Sequence, residues 1–531
     1  MENKKTKIIS IGAVVALALT VITATYAYFN AQVGDPAVAD IKVNANTVDT
    51  FTFSNGSAIS FSINQDNFAS GKGNQTGSTY ASATLTANNK TNTATEHYYM
   101  YLNIENNTFT YSINTNTPEI IMTVKNSVGN EVTDISTLNH VIVTGANGTQ
   151  VSGYDITNKS GLITLFDNRE ITTTSSKEEK WNITITFVNY DENQNANAGK
   201  SMSAKVMIQK EVIPQVVSDV CSNGTNLATC ITTLANKSIP SATNIYHHDS
   251  SLSNGAGDNS YRYAGASDVV NNFVCFGSNE STCPTDNLYR IIGVFGNNVK
   301  LIKYDYGTTD ELGTDGDYYQ TYKEWGMDST YKGTYGDGER IGVYYWNNTT
   351  QTNTWSESLL NKTNLNTNFI NNIGEEWANK IATTTWKVGG NTYSNIYSKT
   401  PSVVYQNEIV NPVTTNTTDN ATEYTAKIGL MYVSDYGFAA EPSAWTLTMG
   451  NYNNTTATST NWMYMGLYEW TISRYADHSG DASRVFDVSL TGNVTNDYAG
   501  TALAVRPSFN LLSSVTYSKG DGTQNSPIRI N

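Results

Sequence analysis

The chain carries few charged side chains. Only 15% of its residues are Asp, Glu, Lys or Arg, and the acidic residues outnumber the basic ones by 47 to 32, which gives a net charge of −15 at pH 7. An acidic chain without a basic stripe is a poor partner for nucleic acid, because contacts to phosphate require Lys and Arg. We therefore expect no binding to nucleic acid.

Histidine is also scarce. A nucleophilic triad requires a Ser or Cys beside a His and an orienting acid. The chain contains no G-x-S-x-G motif and only five histidines, His97, His140, His247, His248 and His478. His478 lies in a loop-like Asp-, Ser- and Gly-rich stretch, so we interpret it as a solvated loop residue. The sequence thus argues against nucleophilic catalysis.

What the chain has instead is polarity without charge. Asn, Thr, Ser, Gly and 34 Tyr dominate its surface-forming residues. Abundant β-branched and aromatic side chains favour a β-rich fold rather than disorder. A chain of 531 residues is long enough for two or three hydrophobic cores.

Residues 1–27 have the pattern of a secretory signal. Three lysines near the start precede an uncharged, mainly apolar run from Ile8 to Val21, and small residues follow at Thr25 and Ala27. The alternative is an uncleaved anchor, because about 20 apolar residues can span a bilayer. In that case residues 8–27 would be the only contact with the membrane. The small residues favour cleavage after Ala27.

The segment Thr25-Tyr26-Ala27-Tyr28-Phe29-Asn30 resembles the end of precursors cleaved by the SipW signal peptidase of Gram-positive bacteria. Such precursors include the TasA and camelysin family, whose mature chains are β-sandwich proteins of biofilm fibres. The resemblance implies that the mature chain begins at Tyr28 and is secreted or displayed on the cell surface.

Residues 28–212 show the alternation of an antiparallel β-sandwich. Apolar residues alternate with polar ones in Ile59–Ile63, Met100–Ile104, Trp181–Phe187 and Met202–Ile208, with Gly- and Asn-rich turns between these runs. One apolar face per strand is what two packed sheets require. A TasA-like sandwich is also what the resemblance implies.

Residues 213–260 read as a linker that contains a short helix from Leu227 to Leu234, opened by Asn223 or Thr225. Residues 261–531 then mix strand and helix signals. The stretch from Leu288 to Ile302 predicts a β-hairpin around Gly296-Asn297, and the apolar spacing from Trp355 to Ile381 is close to helical. This order predicts an α+β domain.

Two strings in this domain carry a second resemblance. Trp355-Ser356, Leu359-Leu360-Asn361, Phe369 and Trp377 resemble an uncharacterised domain of surface proteins from gut Gram-positive bacteria. Glu469–Arg474 and Ala504–Pro507 are similar to the last strands of the C-type-lectin-like fold, which formylglycine-generating enzymes share. Those enzymes use a late pair of cysteines. This chain has no cysteine after Cys283, so that activity is not expected.

The four cysteines form two close pairs, Cys221 with Cys230 and Cys275 with Cys283. In an exported chain such pairs read as disulfides, although spacing alone does not prove connectivity. Free thiols are the alternative on an anaerobic cell surface. Zinc is disfavoured, because the spacing exceeds that of C-x₂₋₄-C sites and only His247 and His248 lie nearby in sequence.

Exposed aromatic side chains are the best candidates for binding. They lie in Asn- and Thr-rich stretches, where flat ring faces beside amides suit sugars and peptides. The candidate ligand-binding residues are Trp325, Trp346, Trp445, Trp462 and Tyr464. About half of such aromatics are expected in the core.

Two acidic features could support other chemistry. Asp310, Asp315 and Asp317 place oxygen ligands in one flexible loop, a possible calcium site, although such loops are usually solvated turns. Glu469 beside Trp470 is the most suggestive acid for glycoside cleavage, but pairing with Arg474 or Arg506 in the core is the favoured interpretation. No other cofactor is indicated.

These features predict a secreted bacterial cell-surface or matrix protein, non-catalytic, with an adhesin-like module that binds a surface glycan or protein. The alternative is an extracellular glycan or peptide hydrolase with an accessory N-terminal sandwich. The uncharged, β-prone segment Tyr28–Val33 is also a candidate for self-association by pairing with the open sheet edge of a neighbouring copy.

The export prediction is tested by N-terminal sequencing of protein secreted from a Gram-positive host. We expect the mature chain to start at Tyr28, because the small side chain of Ala27 fits the cleavage pocket. Replacing Ala27 with a bulky Leu should block cleavage. Intact Met1 on membrane-bound material would show an anchor instead.

Overall fold

The computed structural model describes residues 49–64, 72–88, 92–326, 328–412, 422–453, 455–476 and 483–531. The chain divides into two compact units, Met1–Val212 and Ile213–Asn531. The predicted signal sequence with its cleavage point between Ala27 and Tyr28, the segment Tyr28–Val33 and His478 lie outside the described residues.

The first unit is built from antiparallel strands with the predicted alternation. Among its described residues, the strands are β1 (Thr50–Asn55), β2 (Ile59–Ser62), β3 (Gln75–Thr86), β4 (Ala94–Asn107), β5 (Ile120–Asn126), β6 (His140–Thr144), β7 (Gln150–Asp155), β8 (Gly161–Thr173), β9 (Ser176–Phe187) and β10 (Ser201–Gln209). They form a six-stranded sheet in the order β1-β3-β9-β5-β7-β6 and a four-stranded sheet in the order β2-β10-β4-β8. The inward faces bury one core, so the predicted sandwich is confirmed.

A polar link crosses this sandwich. The indole of Trp181 on β9 donates to the hydroxyl of Tyr98 on β4 at 2.9 Å, and that hydroxyl donates to Glu179 at 2.7 Å. Arg169 on β8 pairs with Glu179 at 2.8 Å and lies 4.6 Å from the Trp181 ring. Each of the four side chains in this link therefore has a partner from the opposite sheet, which restricts how the two sheets face each other.

The second unit has mixed sheets with short helices around its own core. Its strands are β11 (Ile245–His248), β12 (Ser260–Tyr263), β13 (Phe273–Cys275), β14 (Leu288–Phe295), β15 (Asn298–Lys303), β16 (Tyr318–Thr321), β17 (Gly342–Tyr345), β18 (Thr384–Lys387), β19 (Gly390–Asn391), β20 (Glu423–Ala426), β21 (Ile428–Gly429), β22 (Glu469–Tyr475), β23 (Arg484–Val488), β24 (Val494–Tyr498), β25 (Ala502–Ala504), β26 (Ser508–Asn510), β27 (Tyr517–Lys519) and β28 (Arg529–Ile530).

The helices of this unit are short. They are α1 (Leu227–Lys237), α2 (Pro240–Thr243), α3 (Thr309–Leu312), α4 (Tyr322–Trp325), α5 (Ile370–Asn372), α6 (Glu375–Ala378), α7 (Tyr393–Ser398), α8 (Pro401–Tyr405), α9 (Val433–Ala439) and α10 (Thr455–Ser459). Two π-helical segments, Leu360–Phe369 and Gln406–Val410, precede α5 and follow α8.

Two seven-stranded sheets organise the second unit. One has the order β11-β12-β14-β15-β26-β21 with β13 beside β14, and the other has the order β16-β17-β25-β22-β23-β24 with β19 beside β22. The predicted hairpin is present as β14 and β15, and Gly296 adopts a φ of +60° in its turn. A left-handed φ is adopted most readily by glycine, which explains the residue at this turn.

The segment 213–260 is an integral part of the second unit rather than a linker. The helix α1 begins after Asn226, whose side chain accepts from the backbone N–H of Thr229 at 3.0 Å, so the cap is neither Asn223 nor Thr225. Leu227, Ile231 and Leu234 on one face of α1 belong to the core of the unit. An amphipathic helix of this kind must bury its apolar face, which a linker does not do.

Both predicted disulfides are present. Cys221 pairs with Cys230 and Cys275 pairs with Cys283, with Cα atoms 5.6 and 5.8 Å apart. The first attaches the start of α1 to the preceding turn, and the second closes the loop that follows β13. Disulfides persist in oxidising compartments, so they indicate an extracellular protein. Within the described residues, no helix is long and apolar enough to cross a membrane.

Removing the Cys221–Cys230 bond tests its contribution to stability. The double variant Cys221→Ala/Cys230→Ala should lower the free energy of unfolding by about 2–3 kcal/mol, because the bond restricts a loop of the unfolded chain. Urea unfolding of the full chain measures the change, with the exposed Ser222→Ala as the control. An unchanged midpoint in the double variant would contradict the expectation.

Candidate functional site

Four of the five predicted ligand-binding aromatics are buried. Trp346, Trp445, Trp462 and Tyr464 are between 0% and 7% exposed, whereas Trp325 is 41% exposed. The polar groups of the buried four donate hydrogen bonds to the backbone carbonyls of Thr471, Ala440, Tyr263 and Leu490, respectively. These rings fill the core with their donors satisfied, so they present no face to a ligand.

Trp325 belongs to an exposed cluster that sequence reasoning found only in part. The ring of Tyr319 lies 6.3 Å from that of Trp325 and 5.3 Å from that of Tyr345. Tyr319 is 48% exposed and Tyr345 is half-buried. We call Tyr319, Trp325 and Tyr345 the aromatic platform. Tyr344-Tyr345 is an aromatic run in the sequence, but no sequence signal places Tyr319 beside it.

The strand pair β16–β17 determines which tyrosines face outward. Tyr318 and Tyr344 are paired in the antiparallel register, and their rings pack 5.7 Å apart on the inner face. The register shifts between Tyr318 and Gln320, so Tyr319 is the extra residue of a β-bulge, and its exposed ring lies beside that of Tyr345. The strand pair therefore positions two of the three platform rings.

The single-turn helix α4 places the third ring. Thr321 and Glu324 form a capping box, in which the Glu324 carboxylate accepts from the Thr321 backbone N–H at 3.0 Å. Trp325 ends this turn, and its ring leans on that of Tyr322 at 5.6 Å. Gly326 follows with a φ of +85°, which ends the helix.

The three predicted calcium ligands do not form a cation site. Asp310 is exposed and lies 3.4 Å from Arg340, and Asp315 accepts from the Asn368 amide at 2.6 Å. Asp317 is 1% exposed and turns into the protein. Within the described residues, no group of three or more His, Cys, Asp or Glu side chains is arranged to hold a metal ion.

Asp317 is a structural support for the platform instead. Its carboxylate accepts the backbone N–H groups of Leu360 at 2.8 Å and Asn348 at 3.1 Å, and its own carbonyl accepts from Tyr345 N–H at 2.8 Å. Burial raises the pKa of Asp317, and the hydrogen bonds from the backbone act in the opposite direction. The residue thus joins β17 to the start of the π-helical segment Leu360–Phe369.

Glu469 is paired in the core, as the favoured interpretation expected. The guanidinium of Arg506 donates hydrogen bonds of 2.7 and 2.9 Å to the two carboxylate oxygens of Glu469, and both side chains are at most 2% exposed. Burial raises the pKa of Glu469, while Arg506 acts in the opposite direction. A carboxylate engaged at both oxygens and shielded from solvent has no access to a glycosidic bond.

His248 is likewise unsuited to acid–base chemistry near neutral pH. It is fully buried between Phe438 and Trp445, and burial lowers its pKa to about 2. Its Nδ1 accepts from the backbone N–H of Ala256 at 3.0 Å. The neutral ring is therefore a packing element of the core.

A scan against protein-family models finds no match for this chain, and no curated protein is significantly similar to it. The two units and the aromatic platform are therefore interpreted from their own geometry.

Asp487 on β23 is a buried acid whose titration can be measured. Its Oδ2 accepts from the Thr495 hydroxyl at 2.8 Å, whereas its Oδ1 has no hydrogen-bond partner among the described residues. Burial raises its pKa to about 7, and the nearby Asp497 acts in the same direction. The folded state thus holds a proton that the unfolded chain releases near pH 4.

Asp487→Asn should therefore stabilise the protein at alkaline pH. Stability falls as the pH rises from about 4 to about 7, because only the unfolded chain ionises freely in that window, and the penalty persists above it. At about pH 8 the variant should be more stable by about 2–4 kcal/mol, with no gain near pH 4. Urea unfolding at both values measures this, with the exposed Asp268→Asn as the control. An equal gain at both values would contradict the assignment.

Proposed function

We propose that this protein is an extracellular, non-catalytic surface or matrix protein that binds a glycan through the aromatic platform. The observation that carries the proposal is the exposure of Trp325 beside Tyr319 and Tyr345. All other tryptophans of the chain are buried. Large aromatic rings in solvent are a common mark of a binding surface when they cluster.

The chemistry of the platform favours a neutral sugar over a charged peptide. The charged side chains of α4 are already engaged, since Glu324 caps its own helix and Lys323 pairs with Glu339. The platform therefore presents three aromatic rings, two of which carry a phenolic hydroxyl. Such rings supply contact area at low entropic cost, and their hydroxyls supply hydrogen bonds.

The rigidity of the platform supports the same proposal. Tyr319 and Tyr345 belong to the paired strands β16 and β17, and Trp325 belongs to the capped helix α4 directly after β16. A pre-formed surface loses little conformational freedom when a ligand binds, so weak stacking contacts retain more of their free energy.

We further propose that the first unit is TasA-like and that the second unit has a C-type-lectin-like fold. The support for the second is that β22, which contains Glu469–Arg474, and β25, which leads into Ala504–Pro507, are neighbours in one sheet. A binding role for loops at the edge of such a sheet agrees with the position of the platform.

The test is a glycan array followed by titration calorimetry with the best glycan. Trp325→Ala and Tyr319→Ala should each weaken binding by about tenfold or more, because each removes one stacking face from the centre of the contact. The matched control is Tyr498→Ala, which removes an exposed ring at the opposite edge of the same sheet.

Three outcomes would contradict the proposal. Unchanged glycan affinity in both platform variants would show that sugars bind elsewhere, and a peptide array that binds where the glycan array does not would assign a protein ligand. Release of sugars or peptides from the same arrays by the wild-type protein would favour the hydrolase alternative.

A further inference from the structure

Three ionisable side chains from distant parts of the second unit meet inside its core, away from the aromatic platform residues. They are Lys300 on β15, Asp435 on α9 and Glu408 in the π-helical segment Gln406–Val410. Their exposed fractions are 4%, 3% and 0%, respectively. Burying so many charges is expensive unless they are paired or neutral.

The amine and one carboxylate are in direct contact. The Nζ atom of Lys300 lies 2.5 Å from Oδ2 of Asp435. The same oxygen accepts from the backbone N–H of Tyr432 at 3.0 Å, and Oδ1 faces the guanidinium of Arg262 at 3.6 Å. Both carboxylate oxygens of Asp435 thus face cationic groups, and Oδ2 is in contact with the amine.

Aromatic rings enclose the lysine. Its Nζ lies 4.4 Å from the ring of Tyr432, 5.3 Å from that of Trp386 and 5.8 Å from that of Phe295. These rings keep bulk water from the pair. In a site without water, an amide once formed is protected from hydrolysis, and the loss of one water molecule to solvent is favoured.

The third group, Glu408, lies close enough to act electrostatically on the other two: its charge raises the pKa of Lys300, and the charge of Asp435 raises the pKa of Glu408. Glu408 accepts from the backbone N–H of Ser434, the neighbour of Asp435, at 3.1 Å, and its Oε1 has no hydrogen-bond partner among the described residues. Burial raises the pKa of Glu408 to about 7, and burial lowers the pKa of the Lys300 ammonium. Acyl transfer is favoured when a neutral carboxylic acid lies near an amine whose pKa is lowered, because the amine is then more readily deprotonated and the acid can donate a proton.

We propose that Lys300 and Asp435 condense into an intramolecular isopeptide bond, assisted by Glu408. The geometry points to this reaction because the pair is in contact, enclosed by aromatic rings and flanked by an acid and by Arg262. The bond would covalently join β15, in the middle of one sheet, to α9. Such a lock would suit a protein that must persist outside the cell.

The reaction balances without an added reagent. The ammonium of Lys300 first passes a proton to Oδ2 of Asp435, with which it is in contact, leaving a free amine and a neutral carboxylic acid. Nζ then attacks Cγ of Asp435, so that an N–C bond forms and the oxygen facing Arg262 gains negative charge, which the guanidinium stabilises. Neutral Glu408 donates its proton to the Oδ2 hydroxyl, the C–O bond breaks and one water molecule leaves. The Glu408 carboxylate then takes the extra proton from the nitrogen, which restores the neutral acid and leaves the amide.

The test is the intact mass of the full secreted chain, measured by mass spectrometry under reducing and denaturing conditions. We expect a mass one water molecule lower than the mass calculated for the secreted chain from its determined N-terminus. Trypsin cannot cleave after an acylated Lys300, so the digest should contain residues 291–303 joined to residues 428–474. A wild-type mass without the deficit, or a digest without the joined peptide, would overturn the proposal.

Variants identify the atoms involved. Lys300→Met should restore the full mass, whereas Asp435→Asn should lose ammonia in place of water because its side chain is an amide. Glu408→Gln should leave most chains unjoined, with the native circular dichroism spectrum retained, and Glu408→Asp should partly rescue the bond. A deficit that persists in Lys300→Met would assign the lost water to another site and overturn the proposal. An unchanged yield in Glu408→Gln would remove Glu408 from the reaction.

The pair Lys303–Glu311 provides a matched control. Its Nζ–Oε1 distance is 3.0 Å and Lys303 is fully buried, but Glu311 is partly exposed to solvent. We expect no joined peptide from this pair, and Glu311→Gln should keep the deficit of one water molecule. If the digest instead joins residues 303 and 311, contact alone is sufficient and the roles given to the aromatic enclosure and Glu408 are wrong.

Discussion

The second unit depends on the pairing of charges that its aromatic core removes from water. Arg506 forms an ion pair with Glu469 in the middle of one sheet, and Lys300 contacts Asp435 between β15 and α9. An unpaired charge at either place would cost several kcal/mol. The two pairs therefore restrict how strands distant in sequence can assemble, because any other arrangement leaves a buried charge without its partner.

The same core explains why the aromatic platform stands out. Most large aromatic rings of this unit pack in its core, and the indole N–H groups of Trp346, Trp445 and Trp462 each donate a hydrogen bond to a backbone carbonyl. Trp325 does not join them, because the short turn after β16 carries it outward beside Tyr319. Exposure here follows from the strand register and one capped helical turn, which is a rigid way to present a ring.

Sequence reasoning succeeded where the signal is local. The period-two runs became strands of a sandwich, the hairpin at Gly296 formed, and the two cysteine pairs closed. It failed for the ligand-binding aromatics, since an Asn- and Thr-rich neighbourhood does not reveal that Trp445 or Trp462 is covered by distant segments. It also took 213–260 as a linker, although the apolar face of α1 packs in the core.

By itself, the sequence determined the strand periodicity of the first unit, the α+β character of the second and the acidic, weakly charged surface, because these depend on neighbours along the chain. Only the tertiary structure decided that Asp317 supports the platform and is not a calcium ligand, and that Lys300, Glu408 and Asp435 meet. These contacts join residues far apart in sequence. These contacts form only when whole sheets pack together, and a local sequence pattern does not predict that packing.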